Sequence, residues 1–429
     1  MNKFCVFIFF LFAILLSSDT AAFDNYMKNK EYSDALSEID ALHSNDPKNP
    51  EYLFMKHSAL IFLDNLDEAY NILKLAIELA PRDEGYRDAS EELLAFQSSL
   101  KSAKKSYDNG LFSECVKQYK AIIEKYPERA TAYNQLGQVY KKNKDYDMAV
   151  KNFNMAYAMN PFKEEYNQST IAISQMIASE GDQEFKRREF SKAIALYEKA
   201  IKYYPNFDLA TFKLAKSFYY QGNYDDAAFY LKKCIDINPN HATSYEMLGD
   251  ISIKKKNIEE AILNYKKAVG IDNNLYTAYY RLGRAIKRVD KDEAITYFNK
   301  CININPQYDK AYEALGEIQL SNENIDDALS TFIKGSEIKG KQYYVLLYRI
   351  SNIYNTKEKF NESRTYAKKS IDVKKNYVPA YFELGLAERG LGNKAAATSA
   401  FKKARNDRNF RKSANFYLCE LTKSEEYCD

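Results

Sequence analysis

Arg281, Arg284 and Arg288 stand at i, i+3 and i+7 beside Tyr280, which places three guanidinium groups on one helical face next to a phenol. Arg with Tyr is the pairing that most often anchors protein interfaces, so this cluster points to binding chemistry rather than bond-making. Catalytic constellations are harder to assemble. The chain has three histidines, His43, His57 and His241; the last lies far from the others, and no HExxH or similar ligand spacing occurs. Gly390-Leu391-Gly392-Asn393-Lys394-Ala395 fits a relaxed GxGxxA pattern, but that fingerprint needs a preceding strand and a βαβ unit. Here the flanking residues carry helical periodicity, which predicts a turn between two helices. The phosphate-binding P-loop pattern is absent. No enzyme activity, no cofactor and no metal site is expected.

The elements that hold these residues repeat. Pro47, Pro81, Pro127, Pro161, Pro205, Pro239 and Pro306 mark a period near 34 residues. A small residue lies twelve positions before each: the full series is Ala35, Ala69, Cys115, Ala149, Ala193, Ala227, Ala261, Ala294, Ala328, Ser363 and Ala397. Its steps are 34, 46, 34, 44, 34, 34, 33, 34, 35 and 34 residues. Gly137, Gly181, Gly249, Gly283, Gly316 and Gly385 precede it by eleven or twelve. Small residues at both positions let two helices cross closely, and apolar stripes such as Tyr133, Leu136 and Tyr140 give each helix a buried face. Proline ends the second helix because it lacks the N–H and disfavours helix in the residue before it. Single hairpins cannot bury that face alone, so successive units must stack.

Two intervals are long, and the added residues fall around Glu84–Ala95 and Glu164–Ile173. Both are expected to lengthen a first helix by about three turns, with a loop as the alternative at the second. They would divide the chain into segments 23–95, 96–173 and 174–411, followed by a capping helix and tail over 412–429. Cys115, Cys234 and Cys301 occupy small-residue core positions, whereas Cys419 and Cys428 lie outside the repeats and could pair in an oxidising setting.

The first 22 residues differ from the rest. Lys3, an unbroken apolar run from Phe4 to Leu16, and Thr20-Ala21-Ala22 have the layout of a secretory signal peptide. The run spans about 20 Å as a helix, short of the roughly 30 Å needed to cross a bilayer. An exported protein with no membrane span after cleavage is expected: periplasmic if bacterial, in the secretory lumen or outside the cell if eukaryotic. With 62 basic and 59 acidic residues the net charge is +3, which gives no general attraction to nucleic acid.

The repeat resembles the tetratricopeptide repeat family, whose Leu-Gly-x-x-Tyr signature reads as Leu136-Gly137-Gln138-Val139-Tyr140. The resemblance covers nearly all of residues 23–411. The chain departs from it in having no Trp; Tyr133, Tyr245, Tyr279, Tyr312 and Tyr381 take that place. It implies an all-α solenoid, a right-handed superhelix of eleven helix–turn–helix hairpins with the first truncated. It also implies a partner-binding groove lined by the first helices. Carried over, that groove would show Phe212, Lys216, Tyr219 and Tyr220, then Glu246 and Asp250. Tyr280, Arg284, Lys287 and Arg288 follow, then Glu313 and Glu317, then Tyr348, Asn352 and Asn355, and last Phe382 and Arg389. Basic or aromatic rungs alternate with acidic ones, which suits either lateral ion pairing or a peptide groove. The carboxylate clamp known in the family is not reproduced, since Asn134 and Gln138 lack their Lys. The expected function is a protein–protein interaction scaffold or adaptor that binds a protein or peptide partner. The alternative is a glycan-associated protein that holds polysaccharide on groove aromatics.

Overall fold

The computed structural model describes residues 20–428. The leader expected over residues 1–22 therefore lies, up to residue 19, outside the described residues. Among the described residues there are twenty-three α-helices, one short 3₁₀ turn and no strand. The chain divides into two compact units, residues 1–217 and 218–429, with the division inside the helix Asp208–Gln221. Five helical hairpins fill the first unit, from Ala21–Lys28 with Tyr32–Asn45 to Glu164–Lys186 with Phe190–Tyr203. The second unit begins its own series after Tyr224–Ile237, runs through five hairpins to Lys394–Ala404, and ends on the helix Arg408–Thr422. The all-α hairpin architecture is as expected.

Side-chain volume explains why the hairpins close. A Cβ built at Gly249 would lie 2.4 Å from the Tyr265 ring, and one at Gly316 would lie 2.4 Å from Phe332. Gly137, Gly181, Gly283 and Gly385 face Phe153, Tyr197, Phe298 and Phe401 in the same way. Each of these rings, fifteen or sixteen positions after its glycine, is fully buried. The missing side chain on one helix is thus the socket for a ring on the next, and close packing makes both choices mutual. Where glycine gives way to His57 or Ser351, the residue sixteen positions on is Leu73 or Ala367 instead of a ring.

The turn inside each hairpin repeats as well. Lys30, Asp64, Lys144, Arg188, Lys256, Glu323 and Glu358 all take positive φ between the two helices, as do Gly110 and Gly392. The next amide reaches back to the end of the first helix, as Asn65 does to Leu60 and Asn257 to Ser252. This is a Schellman closure, made here mostly by charged residues that bear about 1–2 kcal/mol of strain each. The hairpin of Tyr276–Ile286 and Lys291–Ile304 is the exception. Its interval is the 33-residue one, its turn lacks the left-handed residue, and Val289 in that turn is 78% exposed.

The two long intervals are continuous helix: Glu84–Asp108 has 25 residues and Glu164–Lys186 has 23, against 13 or 14 in most others. Leu93, Phe96 and Ala103 form the buried stripe of the first. In the same unit the second hairpin reaches past the third. The Asp64 carboxylate accepts hydrogen bonds from Thr131, Tyr166 and, at 2.9 Å, the Lys163 ammonium. Asn160 donates to the Phe62 carbonyl at 2.9 Å, and the Tyr32 hydroxyl donates to the Met159 carbonyl at 3.2 Å. Beneath this clasp Arg129 is largely buried, its guanidinium over the Phe96 ring, with Glu92 at 3.9 Å and Glu128 at 3.6 Å. The first unit is therefore closed on itself by bonds between residues about a hundred positions apart.

Candidate partner-binding face

The expected groove residues fall in both units. Phe212 and Lys216 belong to the first, where Lys216 lies over the Phe185 ring at 5.4 Å and Phe212 is half-buried. The rest belong to the second. Tyr220 is exposed and meets Tyr219 edge-on at 5.6 Å.

From Ala242–Lys254 onward the first helices of the second unit carry a lateral charge ladder. Arg281, on Tyr276–Ile286, bridges Glu246 at 2.9 Å and Asp250 at 2.8 Å on the preceding first helix. Asp250 also accepts the Tyr265 hydroxyl at 2.8 Å. Burial raises the pKa of both carboxylates, and Arg281 opposes that rise. Arg349 pairs with Glu317 one hairpin before it. Asn352 and Asn355 both donate to the buried Glu383 carboxylate, at 3.0 and 2.8 Å. Desolvation raises the Glu383 pKa as well. Arg389 forks onto Glu420 of the terminal helix at 2.7 and 3.0 Å. Glu246, Asp250, Arg281, Glu317 and Asn352 are thus held by neighbouring rungs.

The aromatic positions are also partnered. Tyr280 meets Tyr308 at 5.1 Å, and Tyr348 meets Tyr377 at 5.7 Å, both edge-on. Arg284 lies over the Tyr280 ring and Arg349 over Tyr348. Tyr308 and Tyr377 start their first helices as N-caps, so each closes the ring pair from the connection between hairpins. Sequence reading missed Arg349, Tyr308 and Tyr377. The signal was present: Arg349 stands two repeats after Arg281, in the same register.

What remains is a short basic stretch. Arg284 and Arg288 are exposed, Lys287 is half-exposed, and none has a carboxylate within ion-pair distance among the described residues. They crowd the last turn of Tyr276–Ile286 and the short turn after it, where helix-end carbonyls favour cations. Glu313, one hairpin on, is half-buried and has no hydrogen-bond partner among the described residues; burial and Glu317 raise its pKa.

The residues considered for catalysis lie apart. His57 is 3% exposed and its Nδ1–H donates to the Ala69 carbonyl at 2.9 Å. His241 Nδ1 lies 2.8 Å from the Ser244 hydroxyl in a helix-start turn. Among the described residues no three His, Cys, Asp or Glu side chains are grouped to hold a metal. Gly390–Ala395 forms the end of one helix, a turn with Gly392 at φ 76°, and the start of the next. Cys115, Cys234 and Cys301 are buried thiols, whereas Cys419 and Cys428 are joined in a disulfide. No described helix is long and apolar enough to cross a membrane.

Comparison with known proteins agrees with this geometry. Family models described as tetratricopeptide repeat match residues 118–151, 276–308 and 344–377, and one described as TPR repeat matches 249–289. The model of anaphase-promoting complex, cyclosome, subunit 3 matches 186–268. Human Superkiller complex protein 3 is 24% identical over 384 residues, covering 86% of this chain and 23% of that protein. The human mitochondrial import receptor subunit TOM70 is 26% identical over 183 residues, 42% of this chain and 29% of its own length. The chain thus spans under a third of each of these two relatives. Among solved structures, the C-terminal part of a TPR repeat-containing protein from Cytophaga hutchinsonii is 22% identical, with a TM-score of 0.46, covering 56% of this chain and 99% of that one. On its recurrent glycine-and-ring sockets and the family-model matches, the chain belongs to the tetratricopeptide repeat family.

Proposed function

We propose that this protein is a non-enzymatic scaffold that captures an acidic segment of a protein partner on the first-helix face of its second unit. One observation carries the reading. Most charges on that face are neutralised by the adjacent rung, but Arg284, Lys287 and Arg288, beside Tyr280, have no carboxylate within ion-pair distance among the described residues. Unpaired Arg next to an aromatic ring is how interface hot spots are built, and a free cationic cluster selects for acid. Relatives named as a complex protein and as an import receptor subunit support a role in assembly with other proteins.

The compartment proposed is an exported one, periplasmic or secretory. The leader-like N-terminus supports it, and so does the Cys419–Cys428 disulfide, since such bonds persist in oxidising surroundings. Affinity capture from the native cell tests the reading, comparing the wild type with Arg284→Glu/Arg288→Glu at low and high salt. The expected result is capture that falls with salt and is lost in the folded variant. Equal capture by both proteins would overturn the proposal. Salt-insensitive retention of polysaccharide would replace it with the glycan reading.

A further inference from the structure

We propose that the C-terminal cap carries a second binding site, a basic cleft that takes an acidic peptide segment with apolar side chains and is complete only while Cys419 and Cys428 are bonded. It is independent of the face described above. On the helix Arg408–Thr422, the residues Arg408, Arg411, Lys412, Asn415 and Phe416 fall at i, i+3, i+4, i+7 and i+8, which puts them on one side. They line a cleft of about 540 Å³ whose other wall is Tyr427 and the disulfide itself.

The charge there has no structural explanation within the cap. Residues 394–412 hold seven Lys and Arg against Asp407 alone, in a chain whose total is +3. Nearby cations are neutralised, Arg389 by Glu420 and Arg405 by Glu426, each at 2.7 Å. Those in the cleft are not. Arg411 donates from Nε to the Arg405 carbonyl at 3.3 Å, and no carboxylate lies within ion-pair distance of Arg408, Arg411 or Lys412 among the described residues. All three sit in the first turns of their helix, where the one acid is the N-cap Asp407, already bonded to the Asn409 amide at 2.8 Å. The positive end of the helix dipole makes that placement unfavourable for cations, so it raises the potential in the cleft at the expense of the helix.

Two further features point to a peptide rather than a free anion or a lipid surface. Phe416 is 66% exposed at the cleft, which gives an apolar side chain a place to pack. Asn415 lines the same wall, and its side-chain amide is of the kind that pairs with a peptide backbone. A concave site with an amide and an exposed ring on one wall suits a chain, whereas a bilayer would need a flat or protruding one. The far wall depends on the tail: the 3₁₀ turn Glu425–Tyr427 lies over the cap with Tyr427 buried, and Cys428 ties its end to Cys419. Reduction frees that end, so occupancy should follow the redox state of the compartment.

The test is fluorescence anisotropy of the full chain with a labelled peptide of alternating Glu and Leu. Binding that weakens with salt is expected, falling about tenfold or more in Arg408→Glu/Arg411→Glu and also in Phe416→Ala. Dithiothreitol and Cys428→Ser should each weaken it several-fold, and all of these comparisons are made in an Arg284→Glu/Arg288→Glu background, where the first-helix face no longer competes for the acidic probe. The milder Arg408→Gln/Arg411→Gln serves if the charge reversal disturbs the circular dichroism spectrum. In that background, no binding, or undiminished binding by the Arg408 and Arg411 variants, would each overturn the proposal. So would indifference to reduction, or adsorption to phosphatidylglycerol vesicles in place of the peptide.

Discussion

The Asp64 carboxylate accepts the hydroxyl of Tyr166, 102 positions further along the chain. Asp64 sits in a left-handed turn at φ 60°, and its side chain is only 9% exposed. The same carboxylate takes Thr131 and Lys163, so one turn residue gathers three donors from two later hairpins. Asp64→Ala would leave the Lys163 charge and two hydroxyls without that acceptor and should lower stability by about 3 kcal/mol. Urea unfolding measures the loss. Hydrogen exchange should rise together in residues 50–62 and 130–142; a local rise near residue 64 alone would show that the clasp does not couple the hairpins.

His57 should make the first unit sensitive to mild acid. Burial is the main cause that holds its pKa down from 6.5 to about 4, with Arg129 adding to it and the Ala69 hydrogen bond opposing. Between those values the unfolded chain binds a proton that the folded chain does not. Stability therefore rises with pH through that window and is lost as pH falls through it, by up to about 3 kcal/mol. Urea midpoints taken across the range should show the slope, and His57→Gln should flatten it. An unchanged slope in that variant would assign the effect to other groups.

The glycine sockets predict a compensating pair. Gly316→Ala places a methyl 2.4 Å from the Phe332 ring and should cost about 1–3 kcal/mol by overpacking. Gly316→Ala with Phe332→Leu should be less unstable than the sum of the two single changes, because the smaller side chain vacates the space the methyl needs. Additive losses in calorimetry would mean that the ring and the glycine do not share one volume.

The period was legible because its markers are local. A small residue, a proline and an apolar stripe each state a helix contact or helix end within a few positions. The ring socket was less visible, since it links positions fifteen or sixteen apart through volume rather than residue type. Lateral pairing of the charged rungs was legible, but not which residues pair: the bonds of Arg281 to Glu246 and Asp250 depend on how neighbouring first helices align. The same register would have flagged Arg349. Nothing local announced Asp64, because its donors come from hairpins that only tertiary structure brings near. The terminal cysteines could be singled out by sequence alone, but the cleft they wall could not.

Arg281 and Arg284, three residues apart on one helix, should answer substitution in opposite ways. Arg281 is the counter-charge of two largely buried carboxylates, so Arg281→Leu should destabilise the second unit by about 2 kcal/mol, less than a fully buried pair would. Burial already raises the pKa of Glu246 and Asp250, and Arg281→Leu removes the foremost influence opposing that rise. In Arg281→Leu the folded state then holds protons that the unfolded chain has released, so its stability should fall as pH rises above the ordinary carboxylate range. Arg284→Glu removes no such partner and should leave both stability and its pH slope near the wild type, while weakening partner capture. Urea midpoints for the two variants at several pH values separate the roles. A flat profile for Arg281→Leu would show that the Glu246 and Asp250 charges are neutralised by something other than that arginine.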